Sequence, residues 1–195
     1  MTDTPVAIGI VTAWEALAVL LAIAYLWLAI RESIWCWAAA IASAAIYLVL
    51  LARVALYLES ALQLFYIAVS VYGWRHWGRA GAELRIRRWS ARRHMAVIAV
   101  ISAATAASGT LLTACTSAAL PYIDSFIAWG SIVTTWMVAR KILENWLYWF
   151  VIDSLSVYVY LQREMWLTAG LFALYLVLIV AGFRAWRRRM MAAGA

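Results

Sequence analysis

The stretch ENWLYWFVID, residues 144–153, places two carboxylates and an amide in one of the most aromatic parts of the chain. A charged side chain at the centre of a bilayer costs ~2.5–3.5 kcal/mol on insertion scales. The 195-residue chain around it is 68% hydrophobic and 13% charged, with a mean hydropathy of +0.87. This composition indicates an all-α integral membrane protein, in which Glu144 and Asp153 need a compensating interaction.

The apolar residues fall into blocks that are long enough to cross a bilayer, which takes ~20 residues per helix. They predict seven transmembrane helices with short connections, except for a basic segment at 79–93. The residues before Ala13 carry no basic start, so we expect no cleavable signal peptide. The predicted spans are 10–30, 34–53, 59–78, 94–113, 122–139, 145–161 and 166–184.

The basic residues predict the orientation of these spans. With the N-terminus outside and the C-terminus inside, 14 of the 16 Lys and Arg residues lie on the cytoplasmic side, and only Arg53 and Arg163 lie outside. The net charge of +7 therefore reflects the orientation of the spans in the membrane. The run AELRIRRWSARR, residues 82–93, is interpreted as a topological anchor and a patch that faces membrane lipid, and we expect no nucleic-acid partner.

An internal repeat is visible at a constant offset of 109 residues. It predicts one transporter domain over 1–195, made of repeat one (10–78), a linker helix (94–113) and repeat two (122–186). A single connecting span makes the two triplets parallel, an architecture that puts the substrate site between the halves. The matched pairs are Glu15 and Asp124, Trp27 and Trp136, Arg31 and Arg140, Trp37 and Trp146, Tyr66 and Tyr175, Gly73 and Gly182, Arg75 and Arg184, and Trp77 and Trp186.

Two helices carry polar and aromatic residues at alternating spacings of three and four, which places them on one stripe. Such stripes suit either a helix–helix interface or a cavity, and they are unsuited to lipid. The helix predicted over 59–78, α3, carries the α3 stripe, which is Gln63, Tyr66, Ser70, Gly73 and Trp77. The helix predicted over 145–161, α6, carries the α6 stripe, which is Trp146, Trp149, Asp153, Ser156 and Tyr160.

Asp153 is the most informative residue, because no Lys or Arg lies in mid-span to pair with it. An organic cation would serve as its partner, stacked on Trp146 or Trp149. Gln63 can offer a donor and an acceptor to an amide or a sugar hydroxyl. These residues predict a ligand that is aromatic, positively charged and hydroxylated.

Four further residues are candidates for gating. Gly73 and Gly182 are related by the repeat and suit close-packing or hinge points. Glu15 and Asp124 lie near the outer ends of spans one and five, where gating or helix N-terminal capping is expected.

Several motifs resemble the PnuC family of bacterial vitamin transporters. They are YGWRHW at 72–77 preceded by Gln63, DSFIAWGSIV at 124–133, and RKILENWLYWFVIDSLSVY at 140–158. The resemblance covers almost the whole chain.

This resemblance implies a seven-span fold similar to that of a SWEET transporter, with two parallel three-helix bundles joined by span four (3+1+3). It also implies facilitated diffusion of nicotinamide riboside across the bacterial inner membrane, trapping by cytoplasmic phosphorylation, and a homotrimer. The substrate site carried over is Gln63, Asn145, Trp146 and Trp149. No cofactor is implied.

The chain departs from the family pattern at three positions. Ser70, Ser43 and Asp153 stand where nicotinamide riboside transporters can have asparagine. Lost amides weaken recognition of a carboxamide, whereas a carboxylate favours a cation. Thiamine is therefore the first alternative substrate and riboflavin the second.

Two other classes of function fit the sequence poorly. An intramembrane enzyme would need a catalytic constellation, but both histidines, His76 and His94, lie at membrane edges and no metal-ligand spacing is present. A structural subunit of a larger complex would be compatible with the stripes alone, but it would not bind a vitamin without its partner.

Overall fold

The computed structural model describes residues 4–53, 57–78, 85–116, 119–162 and 164–193. The seven predicted helices are confirmed, and the basic segment 79–93 is described only from residue 85 onward. The helices are α1 (Thr4–Ile30), α2 (Trp35–Arg53), α3 (Tyr57–Trp77), α4 (Ala91–Cys115), α5 (Pro121–Ala139), α6 (Asn145–Gln162) and α7 (Trp166–Ala192).

Three helices contain stretches that are long and apolar enough to cross a membrane by themselves: Ala13–Ile30, Ala91–Cys115 and Thr168–Ala192. The shorter stretch Trp35–Leu50 in α2 is also apolar. The remaining helices are less hydropathic because they carry Ser, Thr, Tyr and Trp together with acidic or amide side chains. The helices with the weakest hydrophobic signal thus include the two that carry the polar stripes.

The chain forms two compact units, the first with α1 to α3 and the second with α4 to α7. In the first unit α2 packs against both α1 and α3. In the second unit α6 packs against both α5 and α7, and α4 packs against α5. The middle helix of each triplet is therefore the one that both of its neighbours contact.

The core of the first unit is a tryptophan packed on a glycine. Trp37 of α2 is completely buried, and its ring meets Trp77 of α3 edge-on, with centroids 5.3 Å apart and an interplanar angle of 84°. Tyr25 of α1 contacts the same indole at 6.1 Å. A Cβ atom at Gly73 would lie 2.5 Å from Trp37 Cζ2, so α3 can approach this closely only with glycine there.

The second unit repeats this arrangement 109 residues later. Trp146 of α6 is 1% exposed and meets Trp186 of α7 edge-on, with centroids 5.4 Å apart and an interplanar angle of 87°. A Cβ atom at Gly182 would lie 2.5 Å from Trp146 Cη2. The residues that match in the sequence therefore make the same contacts in both units.

The turns that lead into the two middle helices are also equivalent. The second residue after the end of α1 and the second residue after the end of α5 each have a positive φ, 56° at Glu32 and 52° at Lys141. The next N–H donates to the carbonyl five residues earlier, at 3.0 Å in both turns. This is the Schellman pattern that ends a helix with one left-handed residue.

A cation–π contact precedes each of these turns. The Arg31 guanidinium lies 5.0 Å from the Trp27 ring centroid, and Arg140 lies 5.6 Å from that of Trp136. Both tryptophans are partly exposed, at 49% and 41%. Each pair thus places an arginine and an amphipathic ring at a helix end, as at a membrane interface.

Residues 85–90 of the basic segment pair with the connection between α5 and α6. The Arg87 N–H donates to the Lys141 carbonyl at 2.9 Å, and the Arg87 carbonyl accepts from the Leu143 N–H at 2.8 Å. Ile86 beside this bridge is 9% exposed. These backbone bonds hold the arginine-rich segment 85–90 against the connection that leads into α6.

Glu144 completes this contact and is 7% exposed. Its carboxylate accepts hydrogen bonds from Arg88 Nε at 2.9 Å and from the Trp89 N–H at 3.2 Å, and His94 Nε2 lies 3.9 Å away. A buried carboxylate requires such donors because it has lost its hydration. Glu144 also precedes the N-terminus of α6, where negative charge is favourable. We name Glu144 with Arg88 and Trp89 the Glu144 latch.

Replacing either core glycine by alanine is expected to destabilise the protein, because the new Cβ would overlap an indole ring. Overpacking of this kind costs ~1–3 kcal/mol. The measurement is the melting temperature of purified Gly73→Ala and Gly182→Ala in detergent. Gly170→Ala is the matched control, since a Cβ there has no neighbour within 4 Å. Melting temperatures equal to that of the control would contradict the packing role.

Removing the latch carboxylate is expected to loosen the start of α6. Glu144→Ala leaves the Trp89 N–H and Arg88 without their charged acceptor, and a hydrogen bond to a charged group contributes roughly 1.5–3 kcal/mol. Hydrogen exchange at residues 85–90 and the melting temperature report this loss. Glu164→Ala, at an exposed glutamate, is the control. Unchanged exchange in Glu144→Ala would show that the latch is not needed.

Candidate functional site

The α6 stripe lies largely inside the second unit. Trp146, Asp153 and Ser156 are buried, and Trp149 is half-buried. The Ser156 hydroxyl donates to the carbonyl of Ile152 at 3.0 Å. Serine thus satisfies its polar group within its own helix, as is common in membrane helices. Asp153 and the indole N–H groups of Trp146 and Trp149 have no hydrogen-bond partner among the described residues.

Asp153 has no compensating group among the residues that the structure describes. It is 5% exposed, and it makes no hydrogen bond or ion pair with any described residue. The absence of a cationic partner agrees with the sequence, which has no Lys or Arg in mid-span. A buried, unpaired carboxylate is costly, and in a membrane protein it is by default a candidate for function.

The start of α6 supplies an acceptor and a donor. Asn145 is completely buried, and its Nδ2 donates to the Ile142 carbonyl at 2.6 Å. This bond fixes the amide, and within the described residues Asn145 Oδ1 and the indole Nε1 of Trp146 are buried without a partner. Buried polar groups are rarely left unpaired, so these two atoms can receive a ligand.

The α3 stripe lies in the first unit. Ser70 is 2% exposed, whereas Gln63 and Tyr66 are half-buried. Gln63 makes no hydrogen bond with the residues that the structure describes, so its amide is available. Phe65 and Tyr66 are edge-on neighbours, with centroids 5.9 Å apart. The stripe therefore offers one amide beside an aromatic surface.

Ser43 has a structural partner. It is buried, and its hydroxyl donates to the Ala18 carbonyl at 2.9 Å, which links α2 to α1. The family resemblance places Ser43 in the substrate site, because nicotinamide riboside transporters can have asparagine at this position. The observed bond is the interhelical hydrogen bond that small polar residues make in membranes. A substrate role for Ser43 remains a prediction.

The predicted gating residues have different surroundings. Gly73 and Gly182 sit under indole rings, which favours a close-packing role over a hinge. Asp124 lies in the first turn of α5, where a carboxylate stabilises the helix dipole. Glu15 is exposed and lies eleven residues after the start of α1, so helix capping is the wrong role for it. The span prediction began α1 at residue 10, and the helix begins earlier, at Thr4.

Sequence reasoning missed a polar cluster around the latch. His94 Nδ1 lies 3.0 Å from the Tyr148 hydroxyl, and the two rings stack with centroids 5.8 Å apart. Trp89 lies 5.6 Å from the His94 ring and 5.8 Å from the Trp136 ring. The signal was present as an acidic residue just before a helix, but its partners lie more than fifty residues away in the chain.

A groove of about 450 Å³ lies between α4, α5 and α6. His94, Glu144 and Tyr148 line it, together with apolar side chains. Two of its lining residues, Tyr148 and Val151, lie roughly 140–160° around the helix axis from Trp146 and Asp153, so the groove opens on the side of α6 away from the α6 stripe. This groove is therefore a feature separate from the predicted substrate site.

No group of three or more His, Cys, Asp or Glu side chains in the described part of the chain is placed to hold a metal ion. Cys36 is buried and Cys115 is exposed, and neither forms a disulfide. The chemistry available on the two stripes is thus that of recognition: one carboxylate, amides, indoles and hydroxyls.

Two curated transporters are similar to this chain. RibM, a riboflavin/roseoflavin transporter of Streptomyces davaonensis, is 28% identical over 62% of this chain and 59% of its own length. The nicotinamide riboside transporter PnuC of Escherichia coli is 25% identical over 69% of this chain and 68% of its own length. The matched part thus spans less than two thirds of RibM.

The fold is shared with a solved structure. The crystal structure of the vitamin B3 transporter PnuC superimposes with a TM-score of 0.74 over 93% of this chain and 83% of its own, at 20% sequence identity. A family model described as nicotinamide mononucleotide transporter matches residues 12–188. The chain therefore belongs to the nicotinamide mononucleotide transporter family.

Proposed function

We propose that this protein takes up nicotinamide riboside, a precursor of NAD, across the bacterial inner membrane by facilitated diffusion. Phosphorylation in the cytoplasm then traps the substrate. The observation that carries this proposal is the buried, unpaired carboxylate of Asp153 on the same stripe as Trp146 and Trp149. A carboxyl group buried on the same stripe as indole rings suits a flat organic cation.

The pyridinium ring of nicotinamide riboside supplies this cation. Asp153 acts as its countercharge, and a half-buried indole, Trp149, offers a stacking face. A desolvated cation–π contact is worth about 2 kcal/mol. Asn145 Oδ1, the Trp146 Nε1 and the Gln63 amide are available for the carboxamide and the ribose hydroxyls. Tyr66, Ser70 and Ser156 complete the proposed binding residues.

The riboside fits these groups better than the mononucleotide after which the family model is named. A mononucleotide adds a phosphate that carries up to two negative charges near pH 7. Repulsion from Asp153 opposes its binding at a site that holds no compensating cation among the described residues. The ribose hydroxyls, by contrast, need only hydrogen-bond partners.

Riboflavin and thiamine are the alternative substrates. The similarity to RibM favours riboflavin, but its neutral isoalloxazine ring would leave Asp153 without a countercharge. Thiamine carries a thiazolium cation and would satisfy the carboxylate equally well. Asp153 therefore separates the cationic vitamins from the neutral one.

The finer architecture is part of the proposal. Two parallel three-helix bundles joined by α4, with the N-terminus outside and the C-terminus inside, agree with the charge distribution. The equivalent turns and the paired indoles of the two units support a duplicated triplet. A homotrimer is proposed on the family resemblance. Gln63 of the first unit and Asp153 of the second are each proposed as substrate-binding residues.

Replacing Asp153 by asparagine is expected to weaken nicotinamide riboside uptake at least about tenfold, equivalent to the loss of ~1.4 kcal/mol. The change keeps the size of the side chain and removes its charge. Initial uptake into proteoliposomes is the measurement, with Glu164→Gln as the control for an exposed carboxylate. Equal uptake by Asp153→Asn and the control would exclude Asp153 as countercharge.

Transport is expected to be passive. Vesicles that contain the protein without a kinase should equilibrate labelled nicotinamide riboside at zero membrane potential, and a protonophore should not change the initial rate. Accumulation that follows an imposed pH gradient would instead identify a proton-coupled carrier.

A further inference from the structure

The groove between α4, α5 and α6 has an open, apolar body. Ile98 of α4 and Val151 of α6 line it and are 52% and 49% exposed, so the groove faces outward. Ile101, Phe126 and Gly130 also line the groove. Its volume of about 450 Å³ is roughly three times that of an engineered cavity of ~150 Å³ that binds benzene.

One end of the groove is polar and lies next to positive charge. His94, Glu144 and Tyr148 line this end, and Arg88 binds the Glu144 carboxylate from the side. The charge of Glu144 is thus already matched within the protein. Five arginines fall in residues 85–93, and the Arg88 side chain remains 69% exposed. Arg88 and Glu144 offset each other, so the net positive charge beside the polar end comes from the four other arginines of residues 85–93.

The length of the groove matches one leaflet of a membrane. Glu144 and Ile152 mark its extent along α6, which at ~1.5 Å per residue is about 12 Å. Half of a hydrocarbon core of ~30 Å is about 15 Å. A ligand with a polar end and an apolar chain of this length would place its polar end beside His94 and Glu144 and its chain along the apolar part of the groove.

The vitamin substrate does not fit this description. A riboside would bring several hydroxyl groups against the apolar body, where they would lose hydrogen bonds at a cost of ~1–3 kcal/mol each. Only the polar end could satisfy them. The groove thus calls for a ligand that is mostly hydrocarbon.

We propose that the groove binds one anionic phospholipid, with an acyl chain along α6 and its phosphate beside Arg88. Basic segments next to a membrane helix attract anionic headgroups. The bound chain covers the apolar wall, and the phosphate lies next to the Glu144 latch. This site is independent of which vitamin the protein carries.

Native mass spectrometry of the full-length protein in detergent tests the proposal. Phosphatidylglycerol or phosphatidylcholine is added at equal concentration, and the bound lipids per chain are counted. We expect one phosphatidylglycerol to be retained, at least about fivefold more than phosphatidylcholine, since each basic residue near a headgroup contributes on that scale. Equal retention of both lipids would overturn the headgroup assignment.

Filling the groove provides the positional test. Val151→Trp and Ile98→Trp place a ring in the groove from α6 and from α4, at half-exposed positions where the core is not disturbed. Both should lower the retained phosphatidylglycerol at least about fivefold. Val100→Trp, at a 64% exposed valine of α4 that does not line the groove, should retain it. Retention in the two filled variants would overturn the site.

The oligomeric state separates a lipid from a second copy of the chain as occupant. Filled variants that lose lipid but keep the wild-type mass of the protein complex support the lipid site. Filled variants that fall apart into smaller assemblies, with no lipid bound to the wild type, would show that the groove is a protein interface and overturn the proposal.

Discussion

The hydrocarbon of a membrane offers no hydrogen-bond partner, so each polar group of this chain must be satisfied within the protein. The backbone meets this constraint by forming helices throughout the apolar regions. Hydroxyl groups meet it by donating to backbone carbonyls. The Ser43 hydroxyl donates to a carbonyl of α1, and those of Thr134 and Thr135 donate to carbonyls four residues earlier in α5. The Glu144 carboxylate meets it with Arg88 and the Trp89 N–H.

A small set of buried side-chain groups does not follow this rule within the described residues. Three of them belong to α6, and the others, Trp37 Nε1, Thr105 Oγ1 and Ser125 Oγ, lie on α2, α4 and α5. Asp153, Asn145 Oδ1 and the Trp146 Nε1 are buried without protein partners. Glu144 and Asp153, the two carboxylates of the stretch 144–153, thus differ in their partners. The Glu144 carboxylate is bound by Arg88 and the Trp89 N–H, whereas Asp153 has no partner among the described residues and is proposed to bind the substrate cation. Glu144 lies immediately before α6, and Asp153 lies nine residues further on, within the helix.

The sequence could predict the parts of the fold that depend on local pattern. Seven apolar blocks predict seven helices because each must satisfy its own backbone, and the offset of 109 identifies equivalent residues because the two triplets use the same packing. Gly73 and Gly182 are predicted as close-packing or hinge points from their type and repeat relation. That each packs under an indole on the neighbouring helix required the structure.

Contacts between distant segments could not be predicted in this way. The bond between Arg88 and Glu144 joins residues 56 positions apart, and neither residue carries a pattern that names the other. Ser43 was assigned to the substrate site by family resemblance, yet its hydroxyl is used by α1. A polar residue in a membrane helix indicates that its side chain has a binding partner. Only the tertiary structure shows whether that partner belongs to the protein or to a ligand.

Calorimetric binding of nicotinamide riboside, thiamine and riboflavin to the purified protein and to Asp153→Asn tests the central claim, that Asp153 is the countercharge of a cationic vitamin. The account predicts that nicotinamide riboside binds the wild type, that riboflavin does not, and that the substitution weakens binding of the cation. Binding of riboflavin that is unchanged in Asp153→Asn would contradict it.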